Sequence, residues 1–177
     1  MELVIAVEDP MAPDVEAVLA RHLAAMNENT PPAHVHALPA RRLQDPSVTL
    51  FGARRDGVLL GVGAIRHLDA THVEIKSMHT LSDARGQGVG RAILRHLLHV
   101  AGSSGYDRVS LETGTKAAFE PARMMYSAAG FRPCEPFGEY SVNPYGVCMT
   151  LALDSRDRAR AASPASRSGA RSHREAS

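Results

Sequence analysis

Residues 82–98, SDARGQGVGRAILRHLL, set Gly86, Gly88 and Gly90 on alternate positions, bounded by Arg85 and Arg91 and directly followed by an amphipathic run. A tight turn needs one glycine, and each further one adds chain entropy that folding must overcome. The chemistry that such a loop performs is anion binding. Backbone N–H groups converge on one concavity, the next helix adds partial positive charge at its N-terminus, and the arginines supply cationic donors. Two well-known phosphate loops do not fit. A P-loop carries Lys and then Ser or Thr after its last glycine, whereas Gly90 is followed by Arg91 and Ala92. The dinucleotide fingerprint G-x-G-x-x-G demands glycine at 91 or 93, where Arg91 and Ile93 stand. The pattern that fits is R/Q-x-x-G-x-G/A, met by Arg85, Gly88 and Gly90.

The elements that must position this loop are legible on either side of it. LVIAV (3–7) reads as a short buried strand, and residues 13–29 carry Val15, Val18, Leu19, Leu23 and Met26 at helical spacing behind Pro13. TPPAHVH breaks that helix, and ALPARRLQ predicts a second short one near Pro39. Strands are expected at 47–54, 58–68 and 72–80, with RDG (55–57) as the first turn of an antiparallel meander. The loop and a helix over 88–101 follow, then a strand at 106–113 and a helix at 119–130 ending on Gly130. Two last strands are expected within FRPCEPF and YGVCMTLAL. The order predicts an α/β fold with a mixed sheet, not regular βαβ alternation. One domain spans 1–153, and the Arg-, Ser- and Ala-rich segment 154–177 reads as a disordered tail.

A chain of 177 residues suffices for one domain with a real core, and its net charge of +1 argues against a nucleic-acid partner. Cys134 and Cys148 lack metal-ligand spacing and read as thiols in a reducing compartment. No basic leader and no run of membrane-spanning length are visible, so a cytoplasmic protein without a membrane partner is expected.

EIKSMHTLSDARGQGVGRAIL (74–94) resembles the acetyl-CoA-binding core of the GCN5-related N-acetyltransferase (GNAT) superfamily. SLETG (110–114) follows as the next strand, and MMYSAAGF (124–131) is similar to that superfamily's LYxxxGF. EIKSM, LETG and PFGEY together resemble a small bacterial subgroup. The resemblance implies an acyl-CoA acyltransferase fold in which strand 72–80 splays from strand 106–113 and acetyl-CoA, the cosubstrate, lies in the gap. It implies that the donor is held by Met78, His79, Thr80, Arg85, Gly86, Gln87, Gly88, Val89, Gly90 and Arg91. Phe119 belongs to the same coenzyme-binding set, and it stands where many relatives carry Asn or Gln, so a contact without a side-chain hydrogen bond is expected there. Glu74 falls where several members carry a catalytic glutamate, and Tyr126 matches the tyrosine beside the coenzyme sulfur; these are the implied base and acid. Glu74 and Lys76 share a strand face, so an ion pair is the competing role for Glu74. Glu112 is a second carboxylate for the same task.

The resemblance also implies that residues 22–38 and 136–146 cover the acceptor side, with His22, Glu28, His36, Glu112, Glu139 and Tyr140 as the binding set. His34-x-His36 lacks a carboxylate or thiol partner, and no metal is expected. The reading is acetyl transfer to a primary amine of a small molecule by direct attack. Transfer to a protein lysine or N-terminus, and a non-catalytic acyl-CoA sensor, stay open as alternatives. A homodimer is compatible with the resemblance, and nothing in the sequence fixes the assembly.

Overall fold

The computed structural model describes residues 2–154, and all but the first residue of the predicted tail lies outside them. Seven strands form one sheet: β1 (Leu3–Val7), β2 (Val48–Arg55), β3 (Val58–His67), β4 (His72–Thr80), β5 (Arg108–Gly114), β6 (Arg132–Cys134) and β7 (Gly146–Ala152). Their order across the sheet is β1-β2-β3-β4-β5-β7-β6, with β4 and β5 parallel and the other neighbours antiparallel. Three α-helices cover it: α1 (Pro13–Asn29), α2 (Val89–Ser103) and α3 (Glu120–Ala128). Short 3₁₀ segments at Pro32–His34 and Ala40–Gln44 follow α1, so the second helix predicted near Pro39 is a 3₁₀ segment.

Strand alternation divides the core between the two faces. Val15, Val18 and Leu19 of α1 pack with Leu43, Leu50, Leu59, Val62 and Ala64 on one face. Val89, Ile93, Leu94 and Leu97 of α2 pack with Phe51, Ile65, Val73, Ile75, Val109 and Leu111 on the other, together with Tyr126 and Phe131. The turn between β2 and β3 takes positive φ at Asp56 (52°) and Gly57 (82°), which matches the strand twist of a two-residue hairpin. One expectation is corrected here. β1 is only half-buried: it is the sheet's edge strand, with Leu3 and Ile5 packed against the α2-face core and Val4 58% and Val7 66% exposed, because no described element covers its other face.

Two irregularities position the site. β4 and β5 pair only over His72–Ile75 and Arg108–Leu111, and beyond that point they part. Near the parting, β4 carries a bulge. Its register with β3 slips between Val62 and Ala64, and Ser77 sits at φ 54° with its hydroxyl buried and without a partner. The extra residue inverts side-chain alternation. Glu74 and Lys76 therefore share the α1 face with His79, while Met78 and Thr80 turn to the α2 face, where Met78 meets Gly63 and Thr80 meets Gly90.

Candidate active site

The glycine loop delivers α2 with its N-terminus bare. Gly88 is the N-cap at φ 79°, ψ 4°, with no side-chain cap, and the first intrahelical bond runs from the Ala92 amide to the Gly88 carbonyl. The amides of Val89, Gly90 and Arg91 thus precede any helical partner. A Cβ added at Gly86 (φ 75°) or Gly88 would meet nothing within 4 Å, so the space before these amides is open and only the backbone angle demands glycine. Arg85 points its Nε toward the Thr80 carbonyl at 3.5 Å, and Gln87 bonds the Asp83 carbonyl at 2.8 Å and Arg55 at 2.9 Å. The residues fit a pyrophosphate: uncapped donors, a positive dipole end and neighbouring guanidinium groups. Phe119 lays its ring over Gly114 at the end of β5, which puts an apolar surface at the mouth of the gap.

Across the sheet, on the α1 face, the carboxylates collect. Glu74 is 2% exposed. Its Oε1 accepts from Lys76 Nζ at 3.0 Å and from the Tyr140 hydroxyl, while Lys76 also donates to that hydroxyl at 2.8 Å. Burial, with the charge of Glu74, pushes the Tyr140 phenol up. Glu112 is the first β5 residue past the β4–β5 pairing, and its carboxylate lies over Gly146 without a hydrogen-bond partner among the described residues. Burial pushes it up to about 7, against the pull of Lys76 and helped by Glu74. Beneath them His72, Ser110 and Thr150 form a chain at 2.7 and 2.8 Å that satisfies the buried hydroxyls.

Two loops roof this face. His36 stands edge-on to Tyr140 at 4.9 Å, and His34 tilts against Tyr145 at the same separation. A cavity of about 280 Å³ results, lined among others by His36, Leu38, Arg42, Arg66, Glu74, Lys76, Glu139 and Tyr140. His36, Glu139 and Tyr140 of the expected acceptor set therefore come together, with Glu112 beside them. His22 and His79 instead meet each other at 5.3 Å between α1 and β4, and burial pushes His22 down to about 4 and also lowers His79. Glu28 is exposed on the last turn of α1, outside the cavity lining. Tyr126 is 5% exposed, edge-on to Phe131 at 5.9 Å, and burial pushes its phenol up. Cys134 and Cys148 stand opposite each other in the β6–β7 register as free thiols. No group of three or more potential metal ligands occurs among the described residues. No helix there is long and apolar enough to cross a membrane.

The Acetyltransferase (GNAT) family model matches residues 16–131. The chain belongs to the GNAT family. It is 40% identical to the uncharacterized N-acetyltransferase YsnE of Bacillus subtilis, over 84% of this chain and 99% of that one. It is 39% identical to the uncharacterized N-acetyltransferase YedL of Escherichia coli, over 84% and 94%. A GNAT family acetyltransferase from Elizabethkingia anophelis, solved with acetyl-CoA bound, shares the fold at a TM-score of 0.63 and 17% identity, covering 85% of this chain and 98% of that one. This GNAT chain is accordingly an acyltransferase. Its sequence alone does not single out Arg42, Arg66 or the Ser77 bulge. Arg66 becomes visible only once the β3–β4 register sets it opposite Glu74.

Proposed function

We propose that this GNAT enzyme moves an acetyl group from acetyl-CoA to the primary amine of a small molecule by direct attack. The observation that carries the reading is the parting of β4 from β5 after Ile75 and Leu111. The gap has the bare N-terminus of α2 near its β4 end and a partly roofed, carboxylate-bearing cavity on the α1 face. In this reading the α2 amides with Arg85 and Arg91 hold the pyrophosphate, and the acyl-pantetheine arm adds to the free edge of β4 past the bulge. A backbone amide near Met78 stabilises the oxyanion.

Glu74 commits an oxygen to Lys76 and Tyr140, which leaves it ill-suited to take a proton. We therefore assign the base to Glu112, whose carboxylate accepts no hydrogen bond among the described residues and is raised toward neutrality. Glu74 and Lys76 then hold Tyr140 and shape the acceptor floor. The amine, once it has lost a proton to Glu112, attacks the thioester carbon. Collapse of the tetrahedral adduct expels the thiolate, which takes a proton from Tyr126, kept protonated by burial, and the second proton left on the amide nitrogen returns to the Tyr126 phenolate through solvent while Glu112 gives its proton to water. A roof made by residues 35–38 and 138–140 suits a small acceptor better than a peptide.

The test is incubation with isotope-labelled acetyl-CoA and an extract containing metabolites and proteins, read by mass spectrometry. Label in a small amine is the expected result. Label confined to protein would replace the acceptor class. No label above a heat-killed control, with coenzyme still bound, would replace catalysis by sensing.

A further inference from the structure

The acceptor cavity holds more cationic donors than its own carboxylates engage. Arg66 and Glu74 are directly opposed in the β3–β4 register, the place where a strand pair ordinarily closes an ion pair. Glu74 is instead held by Lys76 and Tyr140. The guanidinium of Arg66 is left with one long contact, 3.8 Å to Glu139, whose side chain is 87% exposed. The wall's remaining carboxylate, Asp45, accepts from the Ser47 amide at 2.8 Å and the Ser47 hydroxyl at 2.6 Å, and feels the charges of Arg66 and Arg42 only at longer range, without a hydrogen bond or close ion pair to either. Arg42 lines the same cavity, and no described side chain forms an ion pair with it. Two guanidinium groups, each a planar fork of donors, thus line a cavity of about 280 Å³ and donate no hydrogen bond to a described residue.

We propose that the acceptor is a compact amine that also bears a carboxylate, an amino-acid-like molecule whose carboxylate is gripped by Arg66 with Arg42 while its amine faces Glu112. The inference rests on the acetyl-transfer reading for the amine and on the two arginines for the carboxylate. A bidentate guanidinium–carboxylate pair is among the stronger and more directional contacts a protein makes, and Lys cannot reproduce it. His36, at the cavity wall, is lowered by burial and by Lys76, so it adds no competing positive charge near neutral pH.

The experiment uses the full chain, acetyl-CoA and matched acceptors: each common amino acid, its α-carboxamide, its decarboxylated amine and the aminophosphonate of the same carbon skeleton. Calorimetry with the deaminated carboxylic acids, which cannot react, is run on the coenzyme-bound enzyme. The carboxylate member of at least one set should exceed its amide and amine by about tenfold or more in kcat/KM. Arg66→Ala should raise KM for that member by about ten- to a hundredfold, collapse the preference, and leave the acetyl-CoA affinity and Tm near wild type. Arg66→Lys should recover only part of it. Equal turnover within every set, or a preference for the phosphonate, would overturn the carboxylate assignment while leaving acetyl transfer intact. No turnover of any member, with the deaminated acid still binding in an Arg66-dependent way, would overturn acetyl transfer and uphold the carboxylate grip.

Discussion

Glu112 and Glu74 are neighbouring carboxylates in opposite circumstances. Glu74 has a lysine and a phenol on one oxygen, while Glu112 has burial and no donor among the described residues. If Glu112 is the base, kcat/KM should rise with pH through about 7, and Glu112→Gln should remove that limb while lowering kcat/KM by about 10²- to 10⁴-fold. A pH–rate profile of both proteins checks this, and an unchanged limb would return the role to Glu74. The same residue carries a stability signature. Its folded value lies above the ordinary 4.5, so the native state binds the proton more tightly than the unfolded chain. The burial penalty is absent below about pH 4.5 and grows as pH rises through 7. Glu112→Gln should therefore be more stable than wild type at pH 8, by on the order of 1–2 kcal/mol, with the difference closing in acid. Denaturant midpoints at the two pH values measure it. Tyr126→Phe tests the acid: kcat should fall by about tenfold or more with the acetyl-CoA Kd unchanged, whereas equal loss in both would make Tyr126 a packing residue against Phe131.

The elements that announce themselves locally are the ones legible in the sequence. Pro13 opens α1, Asp56–Gly57 turns the first hairpin and Gly130, at φ 99°, follows α3. The glycine loop is legible for the same reason, since its backbone angles admit few other residues. The edge position of β1 is not, because a short apolar run reads the same in a buried strand and an exposed one. The bulge at Ser77 is hidden too. Nothing in IKSMH marks the point where alternation inverts, yet that inversion sends Met78 and Thr80 to the α2 face and His79 to the α1 face. Where the angles decide, substitution should be severe. Gly88→Val places a β-branched residue at φ 79° in front of the uncapped amides, so the acetyl-CoA Kd should rise by about a hundredfold or more while circular dichroism keeps the helical signal. Unchanged affinity, by calorimetry, would remove the loop from the coenzyme site.

At the scale of the whole molecule, the sheet is two blocks joined by a narrow seam. Strands β1 to β4 form one antiparallel block and β5, β7 and β6 the other, and between them only His72–Ile75 and Arg108–Leu111 pair. Past the seam, Lys76–Thr80 of β4 has no β5 partner, and β7 is the one strand that Glu112–Gly114 of β5 pairs with among the described residues. A molecule lying in that gap would touch both blocks and the N-terminus of α2 at once, and would stabilise the native state by its binding free energy. At a hundredfold excess over Kd this amounts to about 2.7 kcal/mol, or a rise in Tm of roughly 5–10 °C for a domain of this size. Hydrogen exchange should then slow at residues 76–80, at 112–114 and in the first turn of α2 together. Gly88→Val should lose the thermal shift and all three protections. Protection confined to the α2 turn, with 76–80 and 112–114 exchanging as in the free protein, would mean that the coenzyme binds outside the seam, and the acceptor cavity would then face no thioester.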